Sequence, residues 1–162
     1  PWPYTSADAA AFLAMRREPL HPSFLIVART SGAPRIVGGI GIHTDEEDAR
    51  PELGYWISRP YWGLGFATEA GRAVVQFARA FGLPRLFAGH FVDNPASGAV
   101  LRKLGFAPTG RVVRRQSRAR GASVDMIEFA EGDDAGSGPM RGTRDRIMPD
   151  DDFRSELRQL AA

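Results

Sequence analysis

Residues 51–78 read PELGYWISRPYWGLGFATEAGRAVVQFA. The run Glu52-Leu53-Gly54-Tyr55-Trp56-Ile57 is rich in strand formers, and Pro60 stops that strand. Gly63-Leu64-Gly65-Phe66-Ala67 then feeds an amphipathic helix, whose apolar residues Ala70, Val74, Phe77 and Phe81 fall at helical spacing. Gly82 and Pro84 end the helix. A glycine-punctuated turn that opens a helix offers free backbone N–H groups and the positive end of the helix dipole. Such a turn suits a phosphate or a pyrophosphate.

Three kinds of phosphate-binding turn are separated by their spacing. A P-loop needs a Lys-Ser or Lys-Thr pair after its second glycine, and the only lysine of this chain is Lys103. A dinucleotide fingerprint needs its glycines directly after the strand and an acidic residue about 20 residues on. Here Ser58 to Trp62 intervene, Thr68 stands at the third glycine position, and Asp93 comes late. The third kind is the acyl-CoA pyrophosphate turn of GNAT-type N-acetyltransferases. Residues 54–70, GYWISRPYWGLGFATEA, closely resemble that motif, and residues 93–106, DNPASGAVLRKLGF, resemble the second signature of the same superfamily. The two occur in the family's order, with a strand between them.

The resemblance spans residues 3–129 and is nearest to the branch that acetylates ribosomal-protein N-termini. It implies an α/β GNAT fold: a mixed, mostly antiparallel central sheet with a splayed parallel strand pair and flanking helices. Members of that branch carry one more strand and helix before the segment that here begins at Pro1. The resemblance therefore implies a domain over residues 1–130 that lacks them, followed by a linker and a C-terminal helical extension over residues 131–162.

Taken in order, Thr5 or Ser6 caps a helix running to about Arg17, with Phe12 and Leu13 facing inward. Phe24–Arg29 and Ile36–Ile42 form an antiparallel hairpin around the turn Ser31-Gly32-Ala33-Pro34. Asp45-Glu46-Glu47-Asp48 is an acidic loop. Leu86–Val92 is a strand parallel to Glu52–Ile57 through a crossover. Asn94 caps, and Pro95 starts, a short helix ending at Gly105. Phe106–Arg115 and Ser123–Phe129 make a final hairpin. Beyond it a Gly/Asp/Ser-rich linker leads to a helix over Asp150–Leu160. Its apolar face, Phe153, Leu157 and Leu160, is suited to pack on the domain or on a second copy in a homodimer.

Composition narrows the classes. The 162 residues suit one domain with a substantial core. No apolar run approaches the length that spans a bilayer, so no membrane partner is expected. No signal peptide is evident. The absence of cysteine excludes disulfides, thiolate metal sites and a cysteine nucleophile, and is compatible with a cytoplasmic setting. A net charge of +2 leaves no strong nucleic-acid footprint. Arginine-rich, lysine-poor cations are read as the coding bias of a GC-rich bacterium. His21, His43 and His90 are scattered without metal-ligand spacing, so no metal is expected. Arg111, Arg114, Arg115, Arg118 and Arg120 form a basic patch, either a solvated face or a contact for a phosphate.

The reaction implied is acetyl transfer from acetyl-CoA to a primary amine, a protein N-terminus or a small molecule, by direct attack in a ternary complex. The rivals are a non-catalytic acyl-CoA-binding module and a nucleotide-binding domain built on the glycine turn. By the resemblance, the CoA diphosphate sits on the N–H groups of Leu64, Gly65, Phe66, Ala67 and Thr68, with Gly63 and Gly65 allowing close approach. The pantetheine arm pairs with backbone near Trp56, Ile57 and Ser58, where an N–H also serves as oxyanion donor. The side chains of Trp56 and Ile57 are expected in the core. Asn94 is both an N-cap and a partner for the pantetheine arm. Many members place a proton-donating tyrosine where this chain has Leu101; in the ribosomal branch the serine matching Ser97 takes that part. The candidate base is Glu52. The branch's other base position is held by Gln116, which cannot accept a proton, so a water relayed to Glu52 or His43 is the substitute. A peptide α-amine, with a pKa of about 8, is roughly one-tenth neutral at pH 7, whereas a lysine amine is neutral only about 0.04% of the time. A site without a strong base therefore suits an α-amine better.

Overall fold

The structure, a computed structural model, describes residues 3–14, 21–29, 32–44 and 49–132. Helix α1 (Ser6–Ala14) precedes strands β1 (Ser23–Ala28), β2 (Arg35–Thr44) and β3 (Pro51–Ile57). A single 3-10 turn, Arg59–Tyr61, leads to α2 (Phe66–Ala80). Then follow β4 (Phe87–Phe91), α3 (Pro95–Lys103), β5 (Phe106–Ser117) and β6 (Ala122–Glu131). The strands form one sheet in the order β1-β2-β3-β4-β6-β5. Every neighbouring pair is antiparallel except β3 with β4. This is the mixed α/β sheet with one parallel pair that the sequence implies.

That parallel pair barely exists. β2 and β3 stay paired from Gly38 with Ile57 to Thr44 with Pro51, and β4 and β6 from Phe87 with Ala130 to Phe91 with Met126. β3 and β4 share only Glu52 with Phe87. Beyond that point the two strands part.

The core fills the side of the sheet that faces α2 and α3. Val37, Ile42, Leu53, Leu86, Leu101 and Phe129 are all buried there. α2 buries Thr68, Gly71, Val74, Val75 and Ala78, a stripe at helical spacing. The expected face through Phe77 and Phe81 is therefore rotated. Those two rings stack on each other at 4.4 Å, and Phe81 stays 38% exposed. The reason is close approach: a Cβ on Gly71 would stand 2.5 Å from Leu104 Cδ1, so α2 meets the end of α3 through a bare backbone.

The first helix also departs from expectation. Thr5 caps it as predicted, its Oγ1 accepting from the Asp8 amide at 3.3 Å while its own amide donates to the Asp8 carboxylate at 2.9 Å. Yet α1 has no buried residue, and Phe12 and Leu13 are exposed rather than inward. The helix SADAAAFLA is largely alanine and has few large apolar side chains with which to bury a face. The linker and helix expected beyond Glu131 lie outside the described residues.

Two buried carboxylates tie the sheet's ends. Glu131 takes Arg79 of α2 at 2.7 Å, while its backbone carbonyl takes Arg85 at 2.7 Å. Glu128 accepts from Arg50 and from Thr109 Oγ1, each at 2.8 Å. Burial alone would raise the Glu128 carboxyl, but those bonds, with the charges of Arg50 and Arg111, outweigh it and hold it below the usual range. A carboxyl lowered by folding stabilises above its unfolded pKa, and that stability is lost as pH falls through its folded value. Glu128→Gln should therefore destabilise the fold by about 1–3 kcal/mol at neutral pH. It should also flatten the acid side of the melting temperature against pH, measured between pH 3 and 7.

Candidate active site

Where β3 and β4 part, a cavity of about 380 Å³ opens. Its walls come from the end of β3, the 3-10 turn, the start of α2 and one face of α3 with its cap, Asn94 to Lys103. It gathers Trp56, Ile57, Gly63, Gly65, Phe66, Ala67, Thr68, Asn94 and Ser97 among the residues singled out from the sequence. Ser58, Leu64 and Glu52 do not line it.

The α2 end is a cradle. Gly63 and Gly65 hold φ of +74° and +88°, values an L side chain rarely adopts. A Cβ at either would meet no atom within 4 Å, so the turn's surface is open. Phe66 and Ala67 start the helix, and their amides have no carbonyl within it to donate to. The Thr68 amide is less free, since it donates to the Gly65 carbonyl at 3.0 Å. The helix dipole adds partial positive charge here, and Lys103, the chain's one lysine, also lines the cavity.

The α3 end is a polar corner. Asn94 caps the helix, with its Oδ1 accepting from the Ser97 amide at 3.4 Å and its Nδ2 donating to Ser97 Oγ at 3.1 Å. Pro95 takes the first helical position, where its missing N–H costs nothing. Beneath this corner Gly98 sits on His90, where a Cβ would stand 2.5 Å from Nε2. His90 is buried, its Nδ1 bonded to the Phe91 carbonyl at 2.9 Å. Its Nε2 is buried without a hydrogen-bond partner among the described residues.

The third wall, β3, alternates. Leu53, Tyr55 and Ile57 face the helices and the core, so Glu52, Gly54 and Trp56 face the other way. Trp56 is accordingly 56% exposed, not in the core as its apolar character suggested. Its indole lies against Gly39, where a Cβ would stand 2.7 Å from Nε1. Glu52 stands on the same outer face at the closed root of the parting strands, directly across from His43 on β2. The His43 ring leans over Gly54, its Cε1 3.2 Å from where a Cβ would be. The backbone here is partly engaged: Ser58 N–H donates to Val37 at 2.8 Å, and the Trp62 indole donates to Ile57 at 2.7 Å.

Tyr55, Trp62 and Lys103 line the cavity without having been singled out as site residues. Tyr55 Oη donates to the Ser97 carbonyl at 3.1 Å and so bridges β3 to α3. Burial raises the Tyr55 phenol above its ordinary value. The signal in the sequence was the strand's alternation, which puts Tyr55 on the same side as Leu53.

Gln116 lies away from the cavity, bonded to Ser123 Oγ at 2.7 Å. Part of the basic patch is used within the fold, since Arg120 pairs with Asp93 at 2.7 Å and Arg111 lies 3.6 Å from Glu128. Among the described residues, no group of three His, Cys, Asp or Glu side chains could hold a metal ion, and no helix is long and apolar enough to cross a membrane.

The chain resembles known proteins in sequence and in fold. The chain is 38% identical over 97 residues to the uncharacterized N-acetyltransferase YoaA of Bacillus subtilis strain 168, a match covering 59% of this chain and 54% of YoaA. The chain spans about half the length of the curated relatives it matches. The ribosomal-protein-S5-alanine acetyltransferase of Vibrio fischeri superposes with a TM-score of 0.54 at 25% identity, over 62% of this chain and 56% of that one. The microcin C7 self-immunity acetyltransferase MccE, solved with acetyl-CoA and AMP, superposes with a TM-score of 0.52 at 25% identity, over 60% of this chain and 54% of that one. A family model of the acetyltransferase (GNAT) domain matches residues 1–107, and the chain belongs to that family.

Proposed function

We propose that the chain transfers an acetyl group from acetyl-CoA to a primary amine, a protein N-terminus or a small molecule, by direct attack in a ternary complex. The observation that carries this reading is the cavity between the parted strands, with a phosphate cradle at one end and a polar helix start at the other. Its volume falls in the range of small-molecule sites. MccE, a structural neighbour, was solved with acetyl-CoA, and a second neighbour is by name an acetyltransferase of a ribosomal protein's alanine.

The residues present fit that co-substrate. The amides of Leu64, Gly65, Phe66 and Ala67 and the dipole of α2 hold the diphosphate, with Lys103 as a cation lining the same cavity and Thr68 completing the turn. Asn94 and the backbone of Trp56, Ile57 and Ser58 orient the pantetheine arm. Bound acetyl-CoA supplies an activated acyl carbon. Glu52 on the outer face takes the amine's proton, directly or through water. Ser97 Oγ hydrogen-bonds the sulfur as negative charge builds there. The acceptor is an amine of modest pKa, because no strong base lines the cavity and an α-amine needs the least help.

Three measurements test these assignments. Gly65→Val forces a β-branched residue into φ of +88° at the cradle's open surface. It should abolish acetyl-CoA binding in calorimetry while leaving the far-UV circular dichroism of the fold in place. Glu52→Gln should lower kcat/KM most at low pH, since a positioned base contributes about 10²–10⁴. An unchanged pH–rate profile would remove Glu52 from the reaction. Ser97→Ala should lower kcat by about tenfold with little change in acetyl-CoA affinity, because the bond it removes strengthens mainly in the transition state. Full turnover in that variant, with acetyl transfer rate-limiting, would leave Ser97 a helix-start residue only. Acetyl-CoA that binds but is never consumed across a panel of amines would favour the non-catalytic binding module.

A further inference from the structure

We infer that Tyr55 is the proton donor to the departing sulfur, so that the acid of this site comes from β3 and not from α3. The inference rests on the acetyl-CoA reading above. Four features of Tyr55 carry it.

The first is place. Tyr55 lines the cavity together with Ser97, and its Oη stands 3.1 Å from the Ser97 carbonyl. The phenol therefore reaches from β3 to the backbone of the first turn of α3, at the residue whose hydroxyl is to meet the sulfur. The second is freedom. A carbonyl in the first turn of a helix also accepts from the amide four residues on. Tyr55 gives Ser97 a second bond, and exchanging it for one to sulfur orphans nothing.

The third is protonation. Burial raises the phenol, so Oη keeps its proton at neutral pH. The fourth is acidity. An ordinary phenol titrates at about 10 and burial raises this one, yet it is still the more acidic hydroxyl of the two. The aliphatic alcohol of Ser97 is a far weaker acid. It is also already held, accepting from Asn94 Nδ2 at 3.1 Å. The two hydroxyls divide the work: Ser97 hydrogen-bonds the sulfur, and Tyr55 gives up a proton to it. As the carbon–sulfur bond breaks, its electron pair stays on sulfur and the Oη proton moves there. The phenolate then regains a proton from solvent, and the amine's own proton leaves on the outer face.

Tyr55→Phe keeps the ring and removes only the hydroxyl, so the test asks whether that hydroxyl meets sulfur. Calorimetry of the full chain with CoA and with desulfo-CoA reads this without turnover. Tyr55→Phe should weaken CoA several-fold and leave desulfo-CoA unchanged, and should lower kcat by about tenfold to a hundredfold. Equal weakening of both ligands would make Tyr55 a strut between β3 and α3 and overturn the inference, as would wild-type kcat in the variant. Should Tyr55→Phe fail to fold, a fluorinated tyrosine at the same position keeps shape and hydroxyl. Its kcat must then change with the phenol's acidity while acetyl-CoA affinity holds; an unchanged kcat would overturn the inference. A wild-type chain that binds neither CoA nor desulfo-CoA would overturn the acetyl-CoA reading itself, and this inference with it.

Discussion

A strand inside a sheet has hydrogen-bonding groups on both edges, and each must find a partner. β3 meets that demand on its β2 edge along its whole length. On its β4 edge it does so at Glu52 alone. The remaining edges of β3 and β4 diverge, and the interior of the molecule acquires a polar seam. Protein groups reach part of that seam, as the Trp62 indole does at the Ile57 carbonyl. The rest of the site follows from this one separation, because the helices that leave β3 and β4 both begin at the opening. Two helix N-termini thus flank one gap, and both favour negative charge.

Glycine does two different jobs around that gap. At 63 and 65 it supplies a left-handed backbone and a surface without side chains. At 71 and 98 it lies within helices, where its usual effect is to weaken them by about 0.5–1 kcal/mol. There it allows contact that no other residue permits, with Leu104 and with His90. These contacts seat α2 and α3 close beneath the sheet, which in turn brings Ser97 within reach of Tyr55. The first pair of glycines makes room for a ligand, and the second removes room between elements.

The sequence exposed the parts of this design that local rules govern. Strand, turn and helix over residues 51–78 and the Asn94-Pro95 helix start depend on neighbours a few positions apart, and the structure has them where those rules place them. The buried side of α2 was harder to read. Bulk at Phe77 and Phe81 pointed one way, while the packing surface runs through Gly71 and Ala78, small residues chosen for proximity rather than hydrophobicity. Trp56 misled for a similar reason: its apolar ring suggested the core, and strand alternation put it outside. Tyr55 and Ser97 are 42 residues apart. Nothing within either segment reports on the other, so a bond between them is visible only once the fold is assembled.

The strand order has a consequence for how the chain assembles. Residues 23–57 supply β1, β2 and β3, and residues 87–131 supply β4, β5 and β6. Each half of the sheet is thus woven from one continuous stretch. β4 meets β6 only across α3 and β5, while the β1-β2, β2-β3 and β5-β6 hairpins close over short separations along the chain. Such local pairings carry a low entropic cost and form quickly, whereas pairings distant in sequence form slowly. The seam between the halves has almost no ladder of its own and is spanned chiefly by helices. The hairpins on either side can take shape early, leaving β4, with the junction it makes to β3, as the late step. The element that is last to close in folding is then the same one that stays open in the finished molecule.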